Sequence, residues 1–141
     1  MCLERIEMFK TNGKGFQVVR KISKSKYKSW LKKPYGAYAL RIPRKAYKVE
    51  LRTALGCDSY TSGFHILTRK GDAVALLKAA KGLGGPDWEH LLRLVEVSYS
   101  QQTITATGWQ YLGGIVTSDE PRRRLKTVVA GTSTILREVK V

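Results

Sequence analysis

Cations and aromatic rings are interleaved between residues 21 and 35, a combination that can bind a phosphate-bearing ligand. Lysine side chains attract phosphate groups, and flat rings offer a surface on which bases stack. The candidate ligand-binding residues of this segment are Lys21, Lys24, Lys26, Tyr27, Lys28, Trp30, Lys32, Lys33 and Tyr35. Because the segment is polar and rich in lysine, we predict an exposed loop over residues 21–35. The competing interpretation is that its rings anchor the loop to the core while the lysines stay in water.

A second group of cations follows residue 121. Arg122, Arg123 and Arg124 carry planar guanidinium groups, which bind phosphate through paired hydrogen bonds, and Lys126 comes two positions later. This group contains no ring, so we predict a basic loop over residues 117–124 that assists the first segment. Arg20, next to that segment, completes the cationic candidates.

His65 is the remaining candidate for ligand contact, and it lies in a short apolar stretch that reads as a strand. It could make a structural hydrogen bond in a half-buried strand, or reach a phosphate or base at the mouth of a pocket. Together with Arg20 and a late glutamate, either Glu120 or Glu138, it has the residue types of an ADP-ribosyltransferase-like site. That enzyme is the catalytic alternative, which requires a convergent geometry that spacing alone does not provide.

Other chemistry finds little support in the spacing of residues. The cysteines and histidines lack the close pairs of a structural zinc site; they are Cys2, Cys57, His65 and His90. A cysteine nucleophile would need a base and an oxyanion pocket, and no sequence feature indicates either. The glycines at residues 82–85 lack the lysine and hydroxyl ending of a phosphate-binding loop. We therefore predict no metal site, no cofactor and no catalytic residue.

The charge distribution points to an anionic partner. The 141 residues contain 26 lysines and arginines against 11 acids, a net charge of +15. Residues 10–52 hold 14 of these bases and one acid, whereas residues 53–121 hold 5 bases and 7 acids. Residues 122–141 add 6 bases and one acid. Since clustered cations repel each other in the folded state, such an imbalance favours a phosphate-rich ligand, with an acidic protein as the alternative partner.

Hydrophobic periodicity predicts a small α+β domain. Alternating, β-branched stretches predict strands, over residues 16–22, 37–42, 46–52, 63–67, 95–99, 103–107, 126–129 and 134–139. One helix is predicted over residues 73–81, preceded by Thr68 as a plausible cap, and residues 55–62 read as a loop. The fold class is thus a compact single α+β domain over residues 1–141. We expect a mostly antiparallel curved sheet or partly open barrel with one central helix.

Composition also bears on the compartment. The longest apolar-rich stretch, residues 73–80, contains Lys78 and is far shorter than the roughly 20 residues that cross a bilayer. The first residues carry acids rather than the basic start of a signal peptide. Two cysteines do not form a disulfide framework. We expect a cytoplasmic protein that does not associate with membranes.

Several short motifs give the chain a resemblance to a known group. They are Met1-Cys2-Leu3, Val18 to Lys21, Pro34-Tyr35, Gly63-Phe64-His65, Asp72-Ala73, Gly113-Gly114 and Ala130-Gly131. With these motifs the chain resembles small proteins encoded in phage genomes and mobile elements. The resemblance implies a compact α+β fold and a phage origin, and it does not imply a particular activity.

Charge and resemblance together predict a non-catalytic accessory protein of phage type, with counter-defence in an infected bacterial host as its role. The partner is expected to be nucleic acid or a nucleoprotein such as a CRISPR effector, or else a small nucleotide signal that the protein sequesters. A second copy of the chain could complete a pocket for such a nucleotide, so a homo-oligomer is one expected assembly. The alternatives are the ADP-ribosyltransferase-like enzyme and a basic module that binds an acidic protein.

Overall fold

A computed structural model of the protein describes residues 3–23, 26–33, 36–39, 48–53, 56–81, 91–116 and 118–141. Within these ranges the chain forms eleven β-strands and one α-helix. The strands are β1 (Arg5–Ile6), β2 (Lys14–Ser23), β3 (Lys26–Lys33), β4 (Gly36–Ala39), β5 (Lys48–Thr53), β6 (Gly56–Thr61), β7 (Phe64–Leu67), β8 (Leu92–Ser98), β9 (Ile104–Tyr111), β10 (Arg124–Ala130) and β11 (Thr134–Val139). The helix α1 spans Lys70–Lys81.

Nine strands form one antiparallel sheet in which β2 is the branch point. One edge of β2 pairs with β8, which in turn pairs with β11. The other edge of β2 meets β7 at Phe16 and pairs with β3 from Val19 onward. From β7 the sheet continues through β10 and β9 to β1, while β5 and β6 form a separate hairpin. The described residues thus form a single compact α+β domain with one helix and an unclosed sheet, which confirms the predicted fold class.

The two faces of the sheet bury separate groups of apolar side chains. On the helix face, Leu76 and Leu77 of α1 pack against side chains such as Leu94 and Leu125. On the opposite face, which we call the second face, a cluster of β-branched and aromatic residues is buried beneath the partly buried Phe9. Its buried members are Val19, Phe64, Ile66, Val95, Val97, Tyr99, Val128 and Ala130. Each fully buried side chain of this size stabilises the fold by about 1.5–3 kcal/mol, so the alternation of apolar residues sets the register of the strands.

The helix begins at Lys70, three residues before the predicted residue 73. The Arg69 carbonyl accepts the first helical hydrogen bond, from the Ala73 N–H at 3.2 Å, so Arg69 is the N-cap residue. The prediction of Thr68 as the cap is therefore wrong. Its hydroxyl instead donates to the Lys126 carbonyl at 3.4 Å. Asp72 lies in the first turn, where a carboxylate complements the positive end of the helix dipole.

Two predicted loops are strands instead. Residues 21–23 end β2 and residues 26–33 form β3, which pairs with β2, so the prediction of a loop over 21–35 is corrected for the described part of that segment. Residues 56–61 form β6 and pair with β5, within the predicted loop 55–62. Strand pairing uses backbone N–H and C=O groups, which lysine and serine carry like any residue. Polar composition therefore did not prevent pairing.

Other predicted elements are close to the observed ones. Residues 118–123 lie outside helices and strands, in keeping with the predicted loop 117–124, and Arg124 begins β10. The strand predicted from residue 95 begins earlier, at Leu92, and the glycine pair at 113–114 ends a short 3₁₀ turn. Residues 40–47 and 82–90, which include parts of two predicted strands, lie outside the described residues. No helix in the described ranges is long and apolar enough to cross a bilayer.

Candidate functional site

Strand pairing brings three side chains into one row on the second face of the sheet. Trp109 of β9 lies opposite Arg5 of β1 on one side and opposite Lys126 of β10 on the other. Directly paired residues of antiparallel strands point to the same face, so the ring lies between two cations. Gly108 permits the close approach of β1, because a Cβ at that position would lie 2.0 Å from the Arg5 carbonyl oxygen.

Aromatic rings in this region are in contact with cations of the same chain. The guanidinium carbon of Arg124 lies 4.6 Å from the centre of the Trp109 ring, and that of Arg69 lies 5.4 Å from it. Lys126 Nζ lies 4.5 Å from the centre of the Phe9 ring. Contacts of this kind contribute about 0.5–1 kcal/mol each at exposed positions and hold the cations in place. We call Phe9, Arg69, Trp109, Arg124 and Lys126 the Trp109 surface.

The segment before β2 fixes the rings of the Trp109 surface. Phe9 meets Trp109 edge to face, with ring centres 6.3 Å apart and planes at 62°. The indole N–H of Trp109 donates to a Glu7 carboxylate oxygen, and the Thr107 hydroxyl donates to the Glu7 carbonyl at 2.5 Å. These contacts tie the N-terminal segment to β9, so the ring that carries the two guanidinium groups is held in one orientation.

The cations of the Trp109 surface differ in their pairing with acids. Arg69 Nε lies 2.9 Å from Asp72 Oδ2, so the charge of Arg69 is partly compensated. No carboxylate of the described residues lies within 4.0 Å of the guanidinium group of Arg124 or of the ammonium group of Lys126. Arg124 is exposed and Lys126 is half-buried, so both can meet a ligand from solvent. The site is therefore a positively charged surface with two uncompensated cations at its centre.

Backbone hydrogen bonds place the arginine triplet beside this surface. The Leu112 N–H donates to the Arg123 carbonyl and the Gly113 N–H to the Pro121 carbonyl, each at 2.9 Å. A Cβ on Gly113 would lie 2.7 Å from Pro121 Cβ, so glycine is what allows this loop to pack against β9. Arg123 bridges Glu120 at 3.4 Å and Asp72 at 3.5 Å, while Arg122 is exposed. Of the predicted assisting cluster, Arg124 therefore belongs to the Trp109 surface, while Arg123 is bound to acids beside it.

The structure places Lys21 and Tyr27, from the first predicted cluster, against an acid. Lys21 Nζ lies 2.7 Å from Glu138 Oε1, and the Tyr27 hydroxyl donates to the same oxygen at 2.6 Å. The hydrogen bonds from Lys21 and Tyr27 lower the pKa of Glu138, and the bond to Glu138 raises the pKa of Tyr27. These two residues pair across β2 and β3 and hold the hairpin to β11.

The other members of that cluster are described less fully. Lys24 and Tyr35 lie outside the described residues. For Lys26, Lys28, Trp30, Lys32 and Lys33 the description is confined to the backbone of β3. Their role in ligand contact stays a prediction.

Three residues of the ADP-ribosyltransferase-like alternative lie on different faces of the sheet. Arg20 and His65 lie on the helix face, whereas Glu138 points to the second face with its neighbours Lys21 and Tyr27. His65 Nδ1 lies 3.2 Å from the Gly63 carbonyl oxygen, and burial lowers the pKa of His65 to about 4. His65 is therefore neutral at pH 7 and lies on the face opposite Lys126. The structure does not bring it to the Trp109 surface.

Sequence reasoning missed three residues of the site, namely Phe9, Arg69 and Trp109. Phe9 and Trp109 are separated by most of the chain, and Arg69 lies between β7 and α1, so no local pattern joins them. The zinc alternative involved Cys2 and His90, which lie outside the described residues. Among those that are described, no three His, Cys, Asp or Glu side chains come together as a metal site requires.

Comparison of the chain with protein-family models, with curated proteins and with solved structures found no match.

Proposed function

We propose that the protein is a non-catalytic nucleic-acid-binding protein that holds phosphate groups of its ligand on the Trp109 surface. The observation that carries this proposal is the pair of guanidinium groups over Trp109 together with Lys126 over Phe9. These contacts order three cations at the surface before any ligand arrives. Ordered cations lose less conformational entropy when they bind phosphate, so their contribution to affinity is larger.

Because the Trp109 ring is already in contact with Arg69 and Arg124, the surface favours one part of the nucleic acid over another. A base that stacked on Trp109 would compete with Arg69 or Arg124 for the ring. Phosphate oxygens instead accept hydrogen bonds from the outward N–H groups of the same guanidinium groups, with no need to displace them. The arrangement therefore supports binding of the sugar–phosphate backbone with little dependence on base sequence.

A small nucleotide is the less favoured ligand. A cleft of about 540 Å³ lies between α1 and residues 118–123, and Lys78 and Arg123 contribute cations to it. The same cleft is lined by Asp119 and Glu120, whose carboxylates would repel nucleotide phosphates. The charged groups of Arg124 and Lys126 on the Trp109 surface, by contrast, form no ion pair with a carboxylate of the described residues.

The resemblance to small phage proteins extends this proposal to a biological role. A basic, non-catalytic protein that binds nucleic acid could act in counter-defence by occupying the nucleic acid of a host complex, for example a CRISPR effector. Nucleic-acid contact is the first step of that role, so it is also the first property to test.

Fluorescence anisotropy with a short, labelled DNA duplex of random sequence tests the proposal. Between about 50 and 200 mM salt, the logarithm of the affinity should fall with the logarithm of salt by about 0.9 for each phosphate neutralised. Unlabelled ATP should compete poorly, and so should polyglutamate as a model of an acidic protein. A duplex that does not bind would overturn the proposal. Equal competition by ATP or by polyglutamate would favour the nucleotide or the acidic-protein alternative.

A further inference from the structure

Asp72 is an acidic residue at the centre of this basic region, and its side chain is only 4% exposed. Its Oδ2 accepts a hydrogen bond from Arg69 Nε at 2.9 Å and one from the Lys126 backbone N–H at 3.0 Å. Its Oδ1 lies 3.5 Å from Arg123 Nη2. A carboxylate withdrawn from water to this extent is stable in a fold only when several donors satisfy it, as these three do.

The three donors come from the parts of the chain that build the Trp109 surface. Arg69 precedes α1, Arg123 ends the loop before β10, and Lys126 lies within β10. Because Nε of Arg69 is held by Asp72, the rest of that guanidinium is directed toward β10, where Nη2 donates to the Arg124 carbonyl at 3.2 Å. The same orientation places the guanidinium carbon 5.4 Å from the centre of the Trp109 ring.

We propose that Asp72 is a positioning residue for the Trp109 surface, so that binding of an anionic ligand depends on a buried acid. This inference rests on the proposed function. Asp72 does not touch the ligand and its own charge opposes ligand binding. It acts by fixing Arg69 in an orientation from which its remaining N–H groups meet phosphates, and its bond to Arg123 holds the loop before β10 in place.

The direction in which Asp72→Asn changes the affinity for the duplex distinguishes a positioning role of Asp72 from a purely electrostatic one. Asp72→Asn raises the net charge by one, and if only the overall field mattered, a polyanion would bind more tightly. If Asp72 orders the two arginines, the same substitution should raise the dissociation constant for the labelled duplex roughly three- to tenfold. The reason is that charge-assisted hydrogen bonds to phosphate require correctly oriented donors. The salt slope should also fall, by about 0.9 for each phosphate that the variant no longer neutralises.

Asp119→Asn is the matched control, because it makes the same chemical change on the exposed loop beside the site. It should leave the dissociation constant unchanged or lower it by less than about twofold, as expected for a screened surface charge. Circular dichroism and a melting curve for both variants show that binding is measured on folded protein. If Asp72→Asn binds the duplex as tightly as Asp119→Asn and with the same salt slope, the inference is overturned.

A second variant keeps the test decisive if Asp72→Asn does not fold. Arg69→Lys preserves the charge and removes the Nε donor to Asp72, so it should raise the dissociation constant by a similar factor. Arg137→Lys, at an exposed position in β11, is its control and should bind like the wild type. Equal binding by the two variants would also overturn the inference. Failure of the wild type to bind the duplex would instead refute the proposed function.

Discussion

Tyr27 and Glu138 lie 111 positions apart in the chain and are joined by a hydrogen bond of 2.6 Å from the tyrosine hydroxyl to the carboxylate. Lys21 reaches the same carboxylate oxygen at 2.7 Å. One cation and one ring of the lysine-rich segment are therefore engaged within the fold, where they join β2 and β3 to β11. Lys21 and Tyr27 therefore have a structural role, and the remainder of the segment is still a candidate for ligand contact.

The remainder of the segment is tested by charge reversal. We expect the combined change of Lys24, Lys26 and Lys28 to Glu to weaken duplex binding more than the same change at Lys78, Lys81 and Arg93. The reason is that the first group lies in the stretch where the sequence combines cations with rings. Duplex anisotropy with both triple variants is the measurement. Equal weakening would mean that the field is diffuse and that this segment is not a contact site.

His65 predicts a pH dependence of stability. Its pKa is lowered to about 4 in the folded protein, from an ordinary value of 6.5, because the imidazole is buried. Below pH 6.5 the unfolded chain therefore binds a proton that the folded protein does not. The free energy of unfolding should fall as the pH drops from 6.5 to about 4, by at most about 1.4 kcal/mol per pH unit.

Urea denaturation at pH 7 and pH 5 measures this effect. His65→Asn cannot titrate in this range, so the stability difference between the two pH values should be smaller in that variant than in the wild type. The same pH dependence in both proteins would show that other groups cause it and that His65 is not buried in its neutral form.

Trp109 is predicted to support duplex binding by holding Arg69 and Arg124 in place. Trp109→Ala removes the ring beneath Arg69 and Arg124, so the dissociation constant for the duplex should rise about fivefold, in line with two cation–ring contacts of roughly 0.5 kcal/mol each. The free energy of unfolding should fall by about 1–3 kcal/mol, because the substitution also removes the packing against Phe9 and the hydrogen bond to Glu7.

Trp109→Phe is the control for this substitution, since it keeps an aromatic ring beneath the cations while it removes the indole N–H bond to Glu7. It should retain most of the binding. A folded Trp109→Ala protein with wild-type affinity would show that the ring does not position the cations.

The secondary structure could be predicted where apolar periodicity is strong. α1 and β7 could be predicted because they contain closely spaced apolar residues that are buried in the fold. The sequence favours loops at β3 and β6 because lysine, serine and glycine dominate them, while their pairing depends on the backbone of a neighbouring strand. Composition does not report whether a strand has a partner, even when that partner is the preceding strand, as it is for β3 and β6.

The residues of the site also differ in whether the sequence could reveal them. Arg124 and Lys126 could be selected from the sequence because they stand in a run of cations. Trp109 and Arg69 could not, since each is isolated in its own segment and acquires its role through strand order and through Asp72. Glu138 entered the sequence analysis as a possible catalytic acid, and the structure shows it bound to Lys21 and Tyr27.

The most direct test of the central claim is duplex binding after charge reversal within the Trp109 surface. Arg124→Glu combined with Lys126→Glu changes the net charge by the same amount as Lys78→Glu combined with Lys81→Glu on α1. Both double variants are titrated with the labelled duplex at one salt concentration, with melting curves to show that they are folded. If the Trp109 surface holds the phosphates, the first pair should raise the dissociation constant at least about tenfold more than the second, because it removes direct bonds to phosphate as well as long-range attraction. Equal weakening by the two pairs would contradict the account.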